Sequence, residues 1–212
     1  MWSFKKELAR KLFHFLSLLI VLGYFLVSDI FDSDVALFVL LFFLIVFIFL
    51  EYIRLEFGKN VPLLGKIWGY VRRDSEKNTI GGEVYFFIGA IIALAVFDTQ
   101  IAVSAILMTT FGDMAAAIIG KRFGKHYVFK DKALEGIFAQ FFVNLIVGFV
   151  VFFIVPGVAL FTLKFWAIIV VMSLTATLTE TVITKIDDNL AIPLFAGFDG
   201  QITLIVLSAL MC

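Results

Sequence analysis

The chain has 212 residues, of which 62 % are hydrophobic and 16 % are charged. These proportions lie outside the range of soluble globular domains and within that of multispanning membrane proteins. Its 17 Lys and Arg balance 17 Asp and Glu, and a single cysteine excludes both a disulfide framework and a cysteine-rich zinc site. We therefore expect one polytopic membrane domain over residues 1–212, with no nucleic acid polymer as a partner.

Seven apolar runs approach the length of about twenty residues that crosses a hydrocarbon core. In chain order they cover residues 12–27, 35–53, 84–97, 101–119, 137–155, 158–183 and 191–211. The third run is short, and Pro193, Gly197, Asp199 and Gly200 interrupt the seventh. The pattern predicts an all-α membrane protein with about seven transmembrane helices embedded in the lipid bilayer.

The cations fix the expected orientation. Placing the N-terminus in the cytosol puts every Lys and Arg except Lys164 on the cytosolic side, as the positive-inside rule requires. Residues 61–71 alternate apolar and polar positions, which predicts a short interfacial helix after the second span, either a connector or a lid. We expect a multi-pass protein with a cytosolic active face, in the cell membrane of a prokaryote or the endoplasmic reticulum of a eukaryote.

A basic Gly-rich segment, residues 120–125, follows the fourth span, and Asp113 precedes it inside that span. A carboxylate in a membrane helix is costly to keep, so it indicates a functional site. The segment is not a nucleotide P-loop, because three residues separate its glycines and His126 stands where Ser or Thr would bind magnesium. Its cations, with those that follow, can surround a polyphosphate or contact anionic lipid: Lys121, Arg122, Lys125, Lys130 and Lys132.

Acidic and threonine side chains share a stripe at the end of the sixth span. Glu180, Asp187, Asp188 and Asn189, with the threonines between them, offer the hard oxygen ligands that magnesium prefers, and magnesium would carry nucleotide phosphates. The alternative is hydrogen bonding between helices of the bundle.

Two further groups stand at the ends of spans. Glu135 and Gly136 begin the fifth span, where Glu135 either caps the helix or contacts the ligand. Arg10 and His14 align one turn apart on the first span, with Lys11 beside them at the water boundary, and His14 suits either an interhelical hydrogen bond or catalysis.

Taken together, these blocks resemble a known family. The chain is similar to the membrane kinases that phosphorylate lipid alcohols with CTP: dolichol and polyprenol kinases, phytol kinase and the yeast-type diacylglycerol kinase, in a superfamily with phosphatidate cytidylyltransferase. The resemblance covers essentially the whole chain and depends on residues 7–14, 112–116 with 120–125, 132–136, and 187–193. It implies that CTP is the phosphoryl donor and that Arg10, Lys11, Asp113 and Gly120 matter for activity. The chain departs from the family pattern at Ala133, because a small hydroxyl residue usually follows the lysine that corresponds to Lys132.

We therefore expect a kinase that transfers the γ-phosphate of CTP to the hydroxyl of a membrane lipid alcohol of the polyprenol or dolichol type. Catalysis falls to Asp113, Arg10, Lys11 and His14, and nucleotide binding to Gly120, Lys121, Arg122, Lys125, Lys132, Glu135 and Gly136. Metal binding, of Mg²⁺ or another divalent cation, falls to Asp187, Asp188, Glu180 and Asn189.

Several alternatives stay open. Asp113 is either the base that takes the hydroxyl proton or a further metal ligand. A cytidylyltransferase would use the same CTP and metal but would release pyrophosphate and leave a CDP-lipid. A small-solute or ion transporter is a third option, disfavoured because the polar residues gather at one membrane face instead of the midplane. A homo-oligomer is compatible with the sequence.

Overall fold

A computed structural model gives the structure of the chain and describes residues 16–57, 79–129 and 132–210. Those residues contain seven α-helices and a small β-hairpin. In chain order the elements are α1 (Leu16–Ile30), α2 (Ser33–Phe57), α3 (Gly82–Val96), α4 (Thr99–Phe123), β1 (Tyr127–Phe129), β2 (Lys132–Ala133), α5 (Leu134–Ile154), α6 (Leu163–Val182) and α7 (Asp188–Leu210). The chain forms two compact units, Met1–Ile88 and Gly89–Cys212.

The helices confirm the all-α membrane class. Among the described residues, α2, α4, α5, α6 and α7 are long and apolar enough to cross a membrane, while α1 and α3 are shorter apolar helices. Seven complete spans therefore stay a prediction. The interfacial helix expected over residues 61–71 lies outside the described part of the chain.

The last helix differs from its sequence prediction. We expected Pro193 and the glycines to interrupt it, but α7 is continuous with Pro193 inside it. The glycines instead permit close packing: a Cβ on Gly197 would overlap the ring of Phe97, and one on Gly200 would lie 2.7 Å from Met172 Sδ. The prediction was wrong because small residues that weaken an isolated helix also let neighbouring helices approach it.

The sixth helix begins later than the apolar run. Thr162 caps its first turn, since the hydroxyl accepts a hydrogen bond of 3.2 Å from the backbone N–H of Phe165. The preceding turn contains Phe161 at φ 60° and Gly157 at φ 159°. These left-handed positions cannot continue a helix, so the apolar residues before Leu163 form a turn.

In the first unit, α1 packs against α2. A buried ion pair lies near the end of α2, where Arg54 Nη2 and Glu51 Oε1 are 2.8 Å apart. The pair also holds the chain that leads into α3: Arg54 donates to the carbonyl of Thr79 at 2.6 Å, and Glu51 accepts from the N–H of Gly81 at 2.7 Å.

In the second unit, α4 packs against α5, α6 and α7. The core between them is apolar and fully buried; its largest members include Ile101, Met108, Phe152, Phe165, Ile169, Met172 and Ile192. Because consecutive helices run up and down, the end of α4, the start of α5, the end of α6 and the start of α7 meet at one end of the bundle. We call this the charged end.

Gln100 closes the opposite end of the bundle. Its side chain is buried in the first turn of α4. It donates to the carbonyl of Val155 and accepts a 2.8 Å hydrogen bond from the N–H of Val158. The turn between α5 and α6 is thereby fixed to the start of α4.

Candidate active site

The segment that the sequence presented as a basic loop is mostly helical. Gly120, Lys121 and Arg122 belong to the last turn of α4, and Gly124 is its C-cap, with its N–H bonded to the carbonyl of Gly120 at 3.0 Å. The expectation of a loop was therefore wrong for residues 120–123, while binding of phosphate by this segment stays a prediction. Lys121 and Arg122 are exposed in this turn, where cations complement the negative end of the helix dipole.

Gly120 instead marks a helix crossing. A Cβ built on Gly136, at the start of α5, would lie 3.0 Å from Gly120 Cα and 2.8 Å from the carbonyl oxygen of Ala116. Only a residue without a side chain allows this approach of two backbones. The structure thus brings together two predicted site residues, Gly120 and Gly136, as packing partners.

Between the two helices the chain forms a β-hairpin. β1 and β2 pair antiparallel, with Tyr127 opposite Ala133. The hairpin packs onto the end of α4, because a Cβ on Gly124 would lie 2.6 Å from the Cβ of Ala133, which is buried. Ala133, the departure from the family pattern, therefore fills a tight space.

Glu135 joins the first turn of α5 to this hairpin. Its Oε1 pairs with His126 Nδ1 at 2.8 Å, and its Oε2 accepts from the N–H of His126 at 3.4 Å. Of the two roles predicted for Glu135, this geometry supports the local structural one. Lys125, next to His126, is exposed.

Lys132 connects the hairpin to the end of α6. Its ammonium donates to the carbonyl of Glu180 and lies 3.7 Å from the Glu180 carboxylate. That carboxylate is buried and also accepts a hydrogen bond from Gln140 of α5. A predicted phosphate ligand and a predicted metal ligand are thus neighbours, and the negative charge of Glu180 is compensated inside the bundle.

The acidic residues that follow form the start of α7. The carbonyl of Asp187 accepts the first helical hydrogen bond, from Ala191 at 3.0 Å. Its Oδ1 accepts from the backbone and side chain of Asn189 at 3.0 and 2.9 Å. Asp187 is therefore an N-cap, and Asp188 and Asn189 lie half-buried in the first turn.

Three or more His, Cys, Asp or Glu side chains do not come together as a metal cage in the described part of the chain. Magnesium differs from metals held by closed cages, since it commonly takes one or two protein carboxylates and completes its shell with water and phosphate. Asp187 and Asp188 supply that number, while Glu180 is engaged by Lys132 and Gln140.

Of the remaining catalytic candidates, the described part of the chain includes only Asp113. Asp113 is half-buried in α4, two helical turns before Gly120, as the sequence indicated. Arg10, Lys11 and His14 lie outside the described residues.

Two buried amides escaped the sequence analysis. Gln140 and Asn144 stand one turn apart on α5, with 1 % and 0 % of their surfaces exposed. Gln140 donates to Glu180, and Asn144 Nδ2 lies 3.4 Å from Thr177 Oγ1. The available signal was their spacing inside an apolar span, since polar residues in membrane helices find partners in the bundle.

Comparison with known proteins supports the family indicated by the motifs. The chain is 33 % identical to dolichol kinase sec59 of Schizosaccharomyces pombe over 168 residues, which cover 72 % of this chain and 31 % of that protein. It is 32 % identical to CTP-dependent diacylglycerol kinase 1 of the same yeast over 93 residues, 43 % of each chain. The Saccharomyces cerevisiae diacylglycerol kinase 1 is 27 % identical over 156 residues, 72 % of this chain and 53 % of that one.

These matches make the chain a homologue of CTP-dependent lipid kinases. It spans between about a third and a half of the length of these relatives. No protein-family profile matches the chain, and no solved structure does.

Proposed function

We propose that the protein is an integral membrane kinase that transfers the γ-phosphate of CTP to the hydroxyl of a lipid alcohol. The similarity to dolichol kinase and to CTP-dependent diacylglycerol kinases supports the donor and the acceptor class. The observation that carries the proposal in the fold is the contact of Lys132 with Glu180, which unites the basic hairpin and the acidic helix ends at the charged end.

The cations of the charged end bind the CTP phosphates in this proposal. Lys121 and Arg122 are exposed at the end of α4, and Lys132 leaves 36 % of its side chain exposed beside Glu180. Positive groups held on helix ends and a hairpin can neutralise the charge that develops on the leaving nucleoside diphosphate. The family resemblance keeps Arg10 and Lys11 as candidate residues for activity.

Asp187 and Asp188 would hold the divalent cation that accompanies the nucleotide. When bound, that cation would supply positive charge to offset that of the phosphates. The residues themselves fix its place, because the cap formed by Asp187 sets the start of α7. Oxygen ligands from one helix start, completed by phosphate, are the arrangement that magnesium favours.

The transfer joins the lipid oxygen to the γ-phosphorus and breaks the bond between that phosphorus and the oxygen bridging to the β-phosphate. CDP leaves, and the hydroxyl proton passes to a base. Asp113 takes that proton, or it joins the metal ligands and the proton passes to solvent. Its position inside a membrane helix suits an acceptor that stays in the bilayer with its hydroxyl raised toward the charged end.

The acceptor is proposed to be a polyprenol or dolichol-like alcohol. The match to a dolichol kinase, which covers 72 % of this chain, supports this acceptor. Diacylglycerol is the second candidate, because the other relatives are diacylglycerol kinases.

The test is a transfer assay with purified protein in lipid micelles. We expect γ-labelled CTP to label a polyprenol and to release CDP, with less label on diacylglycerol or phytol and less transfer from ATP. Asp113→Asn should abolish transfer, while Asp98→Asn, the same change at the opposite end of the bundle, should preserve it.

Three outcomes contradict the proposal. Pyrophosphate with a CDP-lipid would identify a cytidylyltransferase, and nucleotide-independent solute uptake by reconstituted protein would identify a transporter. Full transfer by Asp113→Asn would remove that residue from the mechanism.

A further inference from the structure

Small and polar residues form a regular seam between α4 and α5. The two helices are antiparallel, and the contacts step by four residues along each. A Cβ on Gly136 would meet Gly120 at 3.0 Å, and one on Gly148 would lie 2.9 Å from Met108 Cε. Four-residue spacing places successive members on one face of a helix.

One contact of the seam is polar. A Cβ on Gly112 would overlap Asn144 Oδ1 and would lie 3.1 Å from Asn144 Cγ. The amide therefore occupies the space that a side chain at position 112 would need. On its other side, Asn144 Nδ2 lies 3.4 Å from Thr177 Oγ1 of α6. Asn144 is thus wedged between α4 and α6.

In the Asn144 amide, the nitrogen has a hydrogen-bond partner but the oxygen has none. Asn144 has 0 % of its surface exposed. Among the described residues, Ser104 Oγ and Asn144 Oδ1 are buried without a hydrogen-bond partner. Buried polar atoms in proteins are nearly always paired, so an orphan acceptor in an apolar bundle calls for a reason. A smaller apolar residue at this position would avoid the orphan.

We propose that Asn144 is a positioning residue that sets the rotation and height of α4 at Asp113. This inference depends on the proposed function, in which Asp113 either takes the hydroxyl proton or joins the metal ligands. Asp113 follows Gly112 directly, so any shift of Gly112 against the Asn144 amide moves the carboxylate with it. The amide transmits the position of α6, through Thr177, to the residue beside Asp113.

The effect on the reaction follows from geometry. An error of about 1 Å in placing a catalytic group can lower a rate by about a hundredfold. A methyl group on Gly112 must displace either the Asn144 amide or α4 itself. Loss of the Asn144 amide would instead remove the contact that limits how closely α4 approaches α5 at Gly112.

The first experiment enlarges the residue on one side of the contact, Gly112, and shortens the residue on the other side, Asn144. We expect Gly112→Ala to lower kcat by about tenfold or more while KM for CTP changes by less than about threefold, because the phosphate ligands lie elsewhere. Gly112→Ala combined with Asn144→Ala should recover activity relative to Gly112→Ala, because the new methyl group then has room. Gly148→Ala is the matched control on the same seam, since the atoms nearest to its new methyl group belong to the side chains of Met108 and Ile169.

A second measurement does not need catalysis. In a Cys212→Ser background, the rate at which a thiol reagent modifies Asp113→Cys reports the exposure of position 113. We expect Asn144→Ala, and also Thr177→Val, to change that rate by severalfold, and Gly148→Ala to leave it as it is. Thr177→Val serves where Gly112→Ala does not fold, because it removes the partner of Asn144 with little change in shape.

The outcomes separate the two proposals. Additive losses in the double variant, or modification rates unaffected by Asn144→Ala, would overturn the positioning role. A merely structural role predicts lower thermal stability with unchanged kcat among the folded molecules. If the unmodified protein transfers no phosphate, the proposed function fails, and the thiol measurement alone decides whether Asn144 controls position 113.

Discussion

The ammonium of Lys132 lies 3.7 Å from the carboxylate of Glu180, and it also donates to the backbone carbonyl of that residue. One cation thus contacts both the side chain and the main chain at the end of α6. Lys132 leaves 36 % of its side chain exposed, which is the surface that the proposed contact with phosphate would use.

Replacement of Lys132 by Met should raise KM for CTP by about tenfold to a hundredfold, because a hydrogen bond to a charged group contributes about 1.5–3 kcal/mol. The check is steady-state transfer kinetics at varied CTP. Lys164→Met is the matched control, since Lys164 contacts Ser208 away from the charged end. An unchanged KM in Lys132→Met would show that this cation does not contact the nucleotide.

Asp187 combines two proposed roles that one substitution separates. Asparagine caps helices as well as aspartate, so Asp187→Asn should change the free energy of unfolding by about 0.5 kcal/mol or less. It should lower transfer by about a hundredfold, because it removes a charged metal ligand. Asp187→Ala should lose both activity and about 1 kcal/mol of stability.

Thermal unfolding in detergent and the magnesium dependence of transfer measure these two effects. Asp32→Asn is the control, since Asp32 Oδ1 accepts from the N–H of Val35 at the start of α2. If Asp187→Asn were as active as the unmodified protein, Asp187 would cap the helix but would not bind the metal.

The crossing of α4 and α5 should not tolerate a methyl group at Gly136. Backbone atoms of Ala116 and Gly120 stand within 3.0 Å of the added carbon, and backbone cannot move aside as a flexible side chain can. We expect Gly136→Ala to destabilise the protein by about 1–3 kcal/mol. Gly23→Ala, which meets nothing within 4 Å, should be neutral or slightly stabilising. A melting temperature unchanged in Gly136→Ala would contradict this packing.

Replacing one partner of the buried ion pair in α2 should lower the free energy of unfolding more than replacing both partners. Glu51→Leu removes the carboxylate that lies 2.8 Å from the buried Arg54 guanidinium, and breaking a buried ion pair costs about 3–5 kcal/mol. The double replacement Glu51→Leu with Arg54→Leu should be the more stable variant, because apolar residues often replace a buried ion pair at little cost. A double-mutant cycle on unfolding measures the coupling, and strictly additive losses would argue against it.

Composition and hydropathy predicted much of the fold. The apolar runs locate the helices, because a membrane helix must satisfy its backbone internally and cover that backbone with apolar side chains. The ends were less predictable. Phe161 and Thr162 delay the start of α6 within an apolar run that hydropathy alone begins at residue 158, and Pro193 does not break α7.

The candidate site was predictable in part. Charged residues inside or beside spans drew notice because they are costly there, and Lys132 and Glu180 prove to be neighbours. The helical state of Gly120 was not predicted, since a glycine needed for flexible backbone and one needed for a close helix crossing look alike in a sequence; its role in nucleotide binding stays a prediction. The contact of Asn144 with Gly112 was missed because Gly112 carries no side chain, so that contact leaves no paired signal in the residue types.

Gln100 gives the second unit unequal ends. Its hydrogen bonds to the carbonyl of Val155 and the N–H of Val158 tie three helices together opposite the charged end. We therefore expect any separation of α5 from α6 to pivot at this turn and to be largest where Lys132 contacts Glu180. The amide proton of Val158 should accordingly be among the slowest of the turn to exchange with solvent.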